Sequence, residues 1–424
     1  MIKRDYYLNQ IIKREWDGNV KVITGIRRCG KSVLLFELFK DYLTSKGIEP
    51  SQIIEIKLDK IDYIKYRNPF YLYKQINKMI TLNKYDKYYL FIDEIQMAIK
   101  KKDRQSGVVA TIYDILNGFR DNKLLDVYVT GSNSKMLSTD IATEFRGRSS
   151  RINVHPLSFK EYFEYVGGDE QRALKEYMIL GGMPGLIHEQ TEEDKKIYLK
   201  NLYDEIYIKD IVERNKIKRE DILNDVLNYL ASQVSSLTNI TRIANAISTL
   251  KKENITHEMV DNYVKHIKNS MLISESQRYD IKGKSFFSYP SKFYYEDTGL
   301  RNARLNYRQI EPGHLMENIL YNELIRRGFT VDVGAVPIRE KNNIEYVEID
   351  FIVNKLDTKV YIQSAFQMLD DDKVKQEVRP FMLTNDFFKK VIIRNDIINS
   401  FYDEQGIYHC RLIDFLLDKV DFLN

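Results

Sequence analysis

Eight residues, Gly25-Ile-Arg-Arg-Cys-Gly-Lys-Ser32, follow a run of β-branched residues ending at Thr24 and precede an apolar-periodic stretch, 33–43. Strand, G-x-x-x-x-G-K-S loop and helix in that order suit a phosphate chain. The glycines let the backbone curl and turn its N–H groups toward phosphate oxygens at the positive end of the helix. The expected nucleotide contacts are Gly25, Arg28, Cys29, Gly30, Lys31, Ser32 and Val33. Lys31 would reach the β- and γ-phosphates of ATP, and Ser32 would place its hydroxyl on Mg²⁺. The plainer alternative is a glycine-rich turn with an exposed lysine. A second apolar run, Tyr88-Tyr-Leu-Phe-Ile, ends in Asp93-Glu94. Asp93 would complete the magnesium shell, while Glu94 would polarise the attacking water as general base.

A third run, Leu125 to Thr130, ends in Gly131-Ser-Asn-Ser134, where Asn133 or Ser132 could sense the γ-phosphate or position water. Turn chemistry accounts for Gly-Ser-Asn almost as well. In Glu144-Phe-Arg-Gly-Arg-Ser-Ser-Arg151, Arg148 is the candidate cation for the charge that develops during phosphoryl transfer, delivered from a neighbouring subunit. The competing reading is a basic surface loop.

With Gly25 to Ser32, Phe91-Ile-Asp-Glu-Ile-Gln96, Thr130-Gly-Ser-Asn-Ser-Lys135 and the run from Gly147 through Pro156-Leu-Ser-Phe159 in hand, the chain resembles the prokaryotic AAA-type predicted ATPases that carry a C-terminal domain of unknown function. The paired arginines in the loop, Gln96 and the Pro-Leu-Ser-Phe run make the resemblance more specific than a lone phosphate loop. It implies a five-stranded parallel AAA core, ATP with Mg²⁺, and assembly into a ring or partial ring. It implies no particular substrate.

The elements that must position these residues suggest an α/β chain of four segments. Residues 1–155 would form the P-loop core, 156–218 a helical lid, 219–300 a winged helix and 301–424 a nuclease-like α/β domain. The lid carries Arg214, more simply a surface helix residue than a phosphate sensor. The winged helix is expected from capped amphipathic helices, Leu237 to Ile247 and Thr256 to Ile267, followed by a two-stranded hairpin turning near Gly283. In the last segment a helical Glu317, a strand Asp350 and the strand Tyr361-Ile-Gln-Ser-Ala365 look like the restriction-endonuclease fold. That chemistry needs two metal-binding carboxylates and a lysine on adjacent strands. Gln363 has replaced a carboxylate and the lysine is missing, although Lys359 or Lys373 could substitute. A scaffold or binding role is therefore expected, with an active DNA nuclease as the alternative.

The net charge of +4 conceals an uneven distribution, since residues 1–155 hold 28 Lys/Arg against 18 Asp/Glu. A basic excess there suits a polyanion such as a nucleotide or a nucleic acid. Cys29 and Cys410 are too few and too far apart for a disulfide framework, the six histidines lack metal-ligand spacing, and no apolar stretch is long enough for a membrane span or signal. A cytoplasmic protein without zinc is expected. Two roles compete: an ATP-driven motor or switch, perhaps acting on nucleic acid, and a slow-hydrolysing protein that gates binding of DNA or a protein partner.

Overall fold

The computed structural model describes residues 2–83, 85–102, 109–132, 145, 147–340 and 343–423. The chain divides into two compact units, one comprising 1–156 with 269–271 and the other 157–268 with 272–424.

The first unit is a parallel sheet covered by helices. Its strands are β1 (Val20–Thr24), β2 (Ile53–Lys57), β3 (Tyr88–Asp93), β4 (Leu125–Gly131) and β5 (Ser149–Asn153), in the spatial order β2-β3-β4-β1-β5. This is the five-stranded parallel core that the resemblance implies. Helices α1 (Asp5–Ile12), α2 (31–45), α3 (Pro69–Asn83) and α4 (Ile112–Arg120) accompany it. Strands β1, β3 and β4 are buried along their whole length, as expected of parallel strands covered on both faces. Lys21 is an exception to their apolar character. This fully buried cation on β1 pairs with Asp126 on the adjacent strand and with Asp17 at 3.0 Å. Asp126 also accepts from the Trp16 amide and the Tyr128 hydroxyl. Burying a charge is tolerable because its partners are supplied.

The second unit begins with helices α5 (Phe159–Val166), α6 (Glu170–Leu180) and α7 (Glu192–Asn201). Ser158, Asp169 and Thr191 cap them by accepting from the amides of Glu161, Arg172 and Asp194. There follow α8 (Glu220–Ser232), β6 (Leu237–Thr238), α9 (Ile240–Lys251), α10 (His257–Asn269), β7 (Ile273–Asp280) and β8 (Ser285–Tyr295). The remaining elements are α11 (Thr298–Arg304), α12 (Pro312–Arg326), β9 (Thr330–Glu340), β10 (Asn343–Lys355), β11 (Thr358–Ala365), α13 (Asp371–Leu383), β12 (Lys389–Arg394), β13 (Phe401–Tyr402), β14 (Tyr408–Arg411) and α14 (Leu412–Leu416).

The expected hairpin forms as β7 and β8, but it is not a two-stranded wing. Val333–Ala335 of β9 lie parallel to Arg278–Asp280 of β7. A nine-stranded sheet, β13-β14-β12-β11-β10-β9-β7-β8-β6, therefore runs across residue 300 without a break. The pairing satisfies a strand edge whose N–H and C=O groups would otherwise be open to association.

Leu90 lies in the middle of β3, fully buried within the core of the first unit. Leu90→Ala is expected to lower stability by about 3 kcal/mol through lost burial and a residual cavity. Urea unfolding followed by circular dichroism checks this.

Candidate nucleotide site

Because the five strands are parallel, the tips of β1, β3 and β4 share one edge of the sheet. Gly25 leaves β1 at φ 150°, and a Cβ there would lie 2.0 Å from the Val154 carbonyl oxygen. Only glycine fits this approach. Arg28 and Gly30 also adopt left-handed conformations, at φ 62° and 97°, and Gly30 is the N-cap of the helix that follows. That helix, α2, passes from Lys31–Val33 through a π-helical segment, Leu34–Phe39, into Lys40–Ser45, and buries Leu34, Leu35, Phe36 and Phe39. The loop is pinned from outside. Arg4 donates to the carbonyls of Cys29 (3.1 Å) and His155 (2.7 Å), and the Cys29 thiol donates to the Val154 carbonyl.

The side chains converge on Asp93. Ser32 Oγ donates to Asp93 Oδ2 at 2.8 Å, and Thr130 Oγ1, at the tip of β4, donates to Asp93 Oδ1. Lys31 Nζ donates to the carbonyls of Gly25 and Ile26, both at 2.9 Å. Glu94, the next residue, is left-handed at φ 53°, with its amide held by Thr130 Oγ1 at 3.1 Å. A non-glycine residue in that conformation is strained. Glu94 Oε2 accepts from Gln96 Nε2 and from Ser132 Oγ at 3.2 Å, while Arg27 Nε donates to Ser132 Oγ at 3.5 Å. The donor set suits a magnesium nucleotide: a glycine cradle, a lysine, a hydroxyl beside a carboxylate, and a second carboxylate one residue on.

The other anticipated residues are placed differently. Asn133 lies outside the described residues. Arg148 is exposed and immediately precedes β5, and its carbonyl accepts from the amide of Val20, the first residue of β1. It therefore sits at the edge of the sheet opposite the loop. Arg214 pairs with Asp210 at 2.7 Å within its own helix, Lys209–Asn215.

In the second unit Glu317 on α12, Asp350 on β10 and Gln363 on β11 do come together. Gln363 Oε1 accepts from the Asp350 amide, and Asp350 Oδ2 accepts from the Ser364 amide. The lysine among them is neither Lys359, whose ammonium lies over the rings of Tyr279, Tyr361 and Phe388, nor Lys373, which pairs with Glu377. It is Lys292, on β8. Its Nζ lies 2.8 Å from Glu317, 2.7 Å from Glu348 and 3.2 Å from Asp350, with all three ammonium protons provided for. Burial alone would lower the Lys292 pKa, yet the carboxylates of Glu317, Asp350 and Glu348 hold it well above the ordinary value. Burial pushes Glu317 up to about 8 against the opposing pull of Lys292.

Comparison with known proteins assigns this architecture. Residues 17–163 match the model of an AAA domain, and 171–311 match a domain of unknown function (DUF8612). An uncharacterized protein of Haemophilus influenzae is 31% identical over 98% of this chain and 99% of its own length. The chain belongs to the same family, and its first unit is an AAA domain. Another relative, the uncharacterized protein MJ1544 of Methanocaldococcus jannaschii, is 29% identical over 85% of this chain and 77% of its own. Among solved structures, the Aeropyrum pernix ORC1 protein in complex with DNA covers 72% of this chain and 93% of that one at 11% identity and a TM-score of 0.30, a likeness that carries no further argument.

Three residues of this AAA-family chain escape motif reading. Arg4 acts on a loop 25 residues downstream, Thr130 is one of many strand-end threonines, and Lys292 meets its partners 25 and 58 residues later. Only Thr130 had a signal, its place beside Gly131 at the end of the third apolar run.

Glu317 gives a signature in pH. Its folded pKa, about 8, is above the ordinary 4.5, so the folded state keeps a proton that the unfolded chain releases. Stability due to this group falls as pH rises from the lower value and is fully lost above the upper one. Asp297 and Asp332, each raised to about 6, have nearly finished contributing by about pH 6.5. Glu317→Gln is expected to flatten the fall in stability between about pH 6.5 and 8.5 by roughly 2 kcal/mol. Denaturant unfolding at several pH values measures it.

Proposed function

We propose that this protein is an ATP-hydrolysing AAA-type switch or motor whose nucleotide state is coupled to a winged-helix and nuclease-like C-terminal half. The observation that carries this reading is the convergence of Ser32, Thr130 and Glu94 on and beside the buried carboxylate of Asp93. In the proposed mechanism the amides of the Gly25–Gly30 loop hold the phosphates and Lys31 exchanges its two loop carbonyls for phosphate oxygens. Ser32 and Asp93 would hold Mg²⁺, which would neutralise charge on the phosphates. Glu94 takes a proton from the attacking water, and Gln96 and Ser132 orient its carboxylate until then. Arg148, remote from its own loop, serves the nucleotide of a neighbouring copy, which makes the active form an oligomer.

We read residues 219–300 as a winged helix because helix, short strand, two helices and a hairpin follow in that order, with β6 pairing to β8. Several of its basic side chains are engaged internally. Lys251 pairs with Asp221 and Asp225, Lys265 with Asp261, Lys268 with Glu275, and Arg219 with Glu253. DNA contact is therefore assigned chiefly to the basic first unit. The nuclease-like fold is read as a scaffold. Its carboxylates are turned on Lys292, and Gln363 offers an amide oxygen where a second metal-binding carboxylate is needed.

ATP turnover is expected to fall at least about 100-fold in Lys31→Ala and in Glu94→Gln, with nucleotide binding lost only in the first. Phosphate release and fluorescent-nucleotide binding provide the readouts, and normal turnover by purified Lys31→Ala would refute the reading. Arg148→Ala alone should be slow, while mixing it with Glu94→Gln should restore part of the rate through shared sites. Incubating the full chain with DNA and Mn²⁺ should give no cleavage.

A further inference from the structure

A cleft of about 460 Å³ opens in the second unit, lined by none of the residues assigned above. Helix α6 forms one wall, the start of α12 another, and the first residues beyond β11 and β12 close it. Those two strands are adjacent and parallel, so Phe366 and Asn395 sit side by side outside their carboxyl ends, where open α/β sheets commonly receive ligands. The volume is within the range of binding pockets. Leu174, Met178, Ile179, Leu315 and Phe366 give it an apolar interior.

Three polar features make the cleft selective. Arg172 and Lys175 lie on its rim and are exposed, no carboxylate is among its described lining residues, and neither side chain has an ion pair among the described residues. Their charge is open to a bound anionic group. Asn395 Oδ1 is buried in the lining without a hydrogen-bond donor, a costly state for an acceptor. A fatty carboxylate has no proton to give it, whereas a peptide N–H does. The two loops that carry Phe366 and Asn395 are tied together by the Met368 amide donating to Asp396 at 2.8 Å. They also display Leu369 and Ile398, 78% and 85% exposed, so apolar surface is presented beyond the cleft itself.

We infer that this cleft binds an acidic, apolar peptide segment of a partner protein. A bulky side chain fills the interior, a main-chain N–H reaches Asn395, and a carboxylate meets Arg172 and Lys175. The inference is independent of the nucleotide site and stands or falls without it.

The test begins with panning a random peptide library on the immobilised full chain. Recovered peptides are synthesised with a fluorophore and measured by anisotropy. They should combine acidic with bulky apolar residues and bind with a dissociation constant on the order of 10 μM. Arg172→Glu combined with Lys175→Glu, both surface changes that leave the fold intact, should weaken binding roughly tenfold or more, and Asn395→Ala several-fold. Failure to recover a binder, recovery of basic peptides, or unchanged affinity in the double variant would overturn the proposal. So would decanoate displacing the peptides and binding Asn395→Ala as well as the parent chain, which would make the cleft a fatty-acid site. Self-association abolished by the double variant would instead place a second copy there and also overturn it.

Discussion

The carboxylate of Asp93 is the tie on which the first unit turns. Only 6% exposed, it would be expensive to bury if it were not supplied with donors, and the two it has come from different elements. Ser32 brings the start of α2 to one oxygen, and Thr130 brings the tip of β4 to the other. That arrangement is possible because β1, β3 and β4 are parallel and end at one edge. Thr130 also holds the Glu94 amide, so the strained backbone that aims the general-base candidate depends on the same hydroxyl.

The second unit handles a group of carboxylates in the opposite way. Glu317, Glu348 and Asp350 come together around the ammonium of Lys292, from β8, rather than around hydroxyls. Hydroxyls can turn aside and leave lone pairs for an incoming cation, whereas a buried lysine is itself the cation. One acidic site is thus suited to receiving a metal and the other is already neutralised. The cluster ties β8 to β10 and α12, elements that are not neighbours in the sheet.

The parts of this arrangement legible in the sequence are those written contiguously. Gly25, Gly30, Lys31 and Ser32 are fixed relative to one another by a single turn and helix start, and Asp93 and Glu94 by a strand end, so spacing alone identifies them. The parallel core is implied by the family resemblance that those motifs carry. What could not be read is made by residues distant in the chain. Nothing near Lys292 marks it as the mate of Glu317, and nothing near Val333 marks it as the neighbour of Arg278. For that reason the hairpin reads locally as a free wing when its outer edge is already taken. Arg148 is legible as a basic residue before a strand, but only the sheet direction places it at the edge away from the loop.

The continuity of the nine-stranded sheet has a consequence for synthesis. The AAA unit has all five strands by Asn153 and can condense as soon as that length has left the ribosome. The second unit starts at residue 157, yet β12 is flanked by β11 and by β14, and β14 is made only at Tyr408–Arg411. The sheet of some 250 residues is therefore finished only when the last strands are translated, and β12 keeps an open edge until then. A chain stopped near residue 300 would leave the hairpin of β7 and β8 with an unpaired edge and a buried-type lysine with no acid to meet, making premature termination a route to aggregation rather than to a smaller working protein.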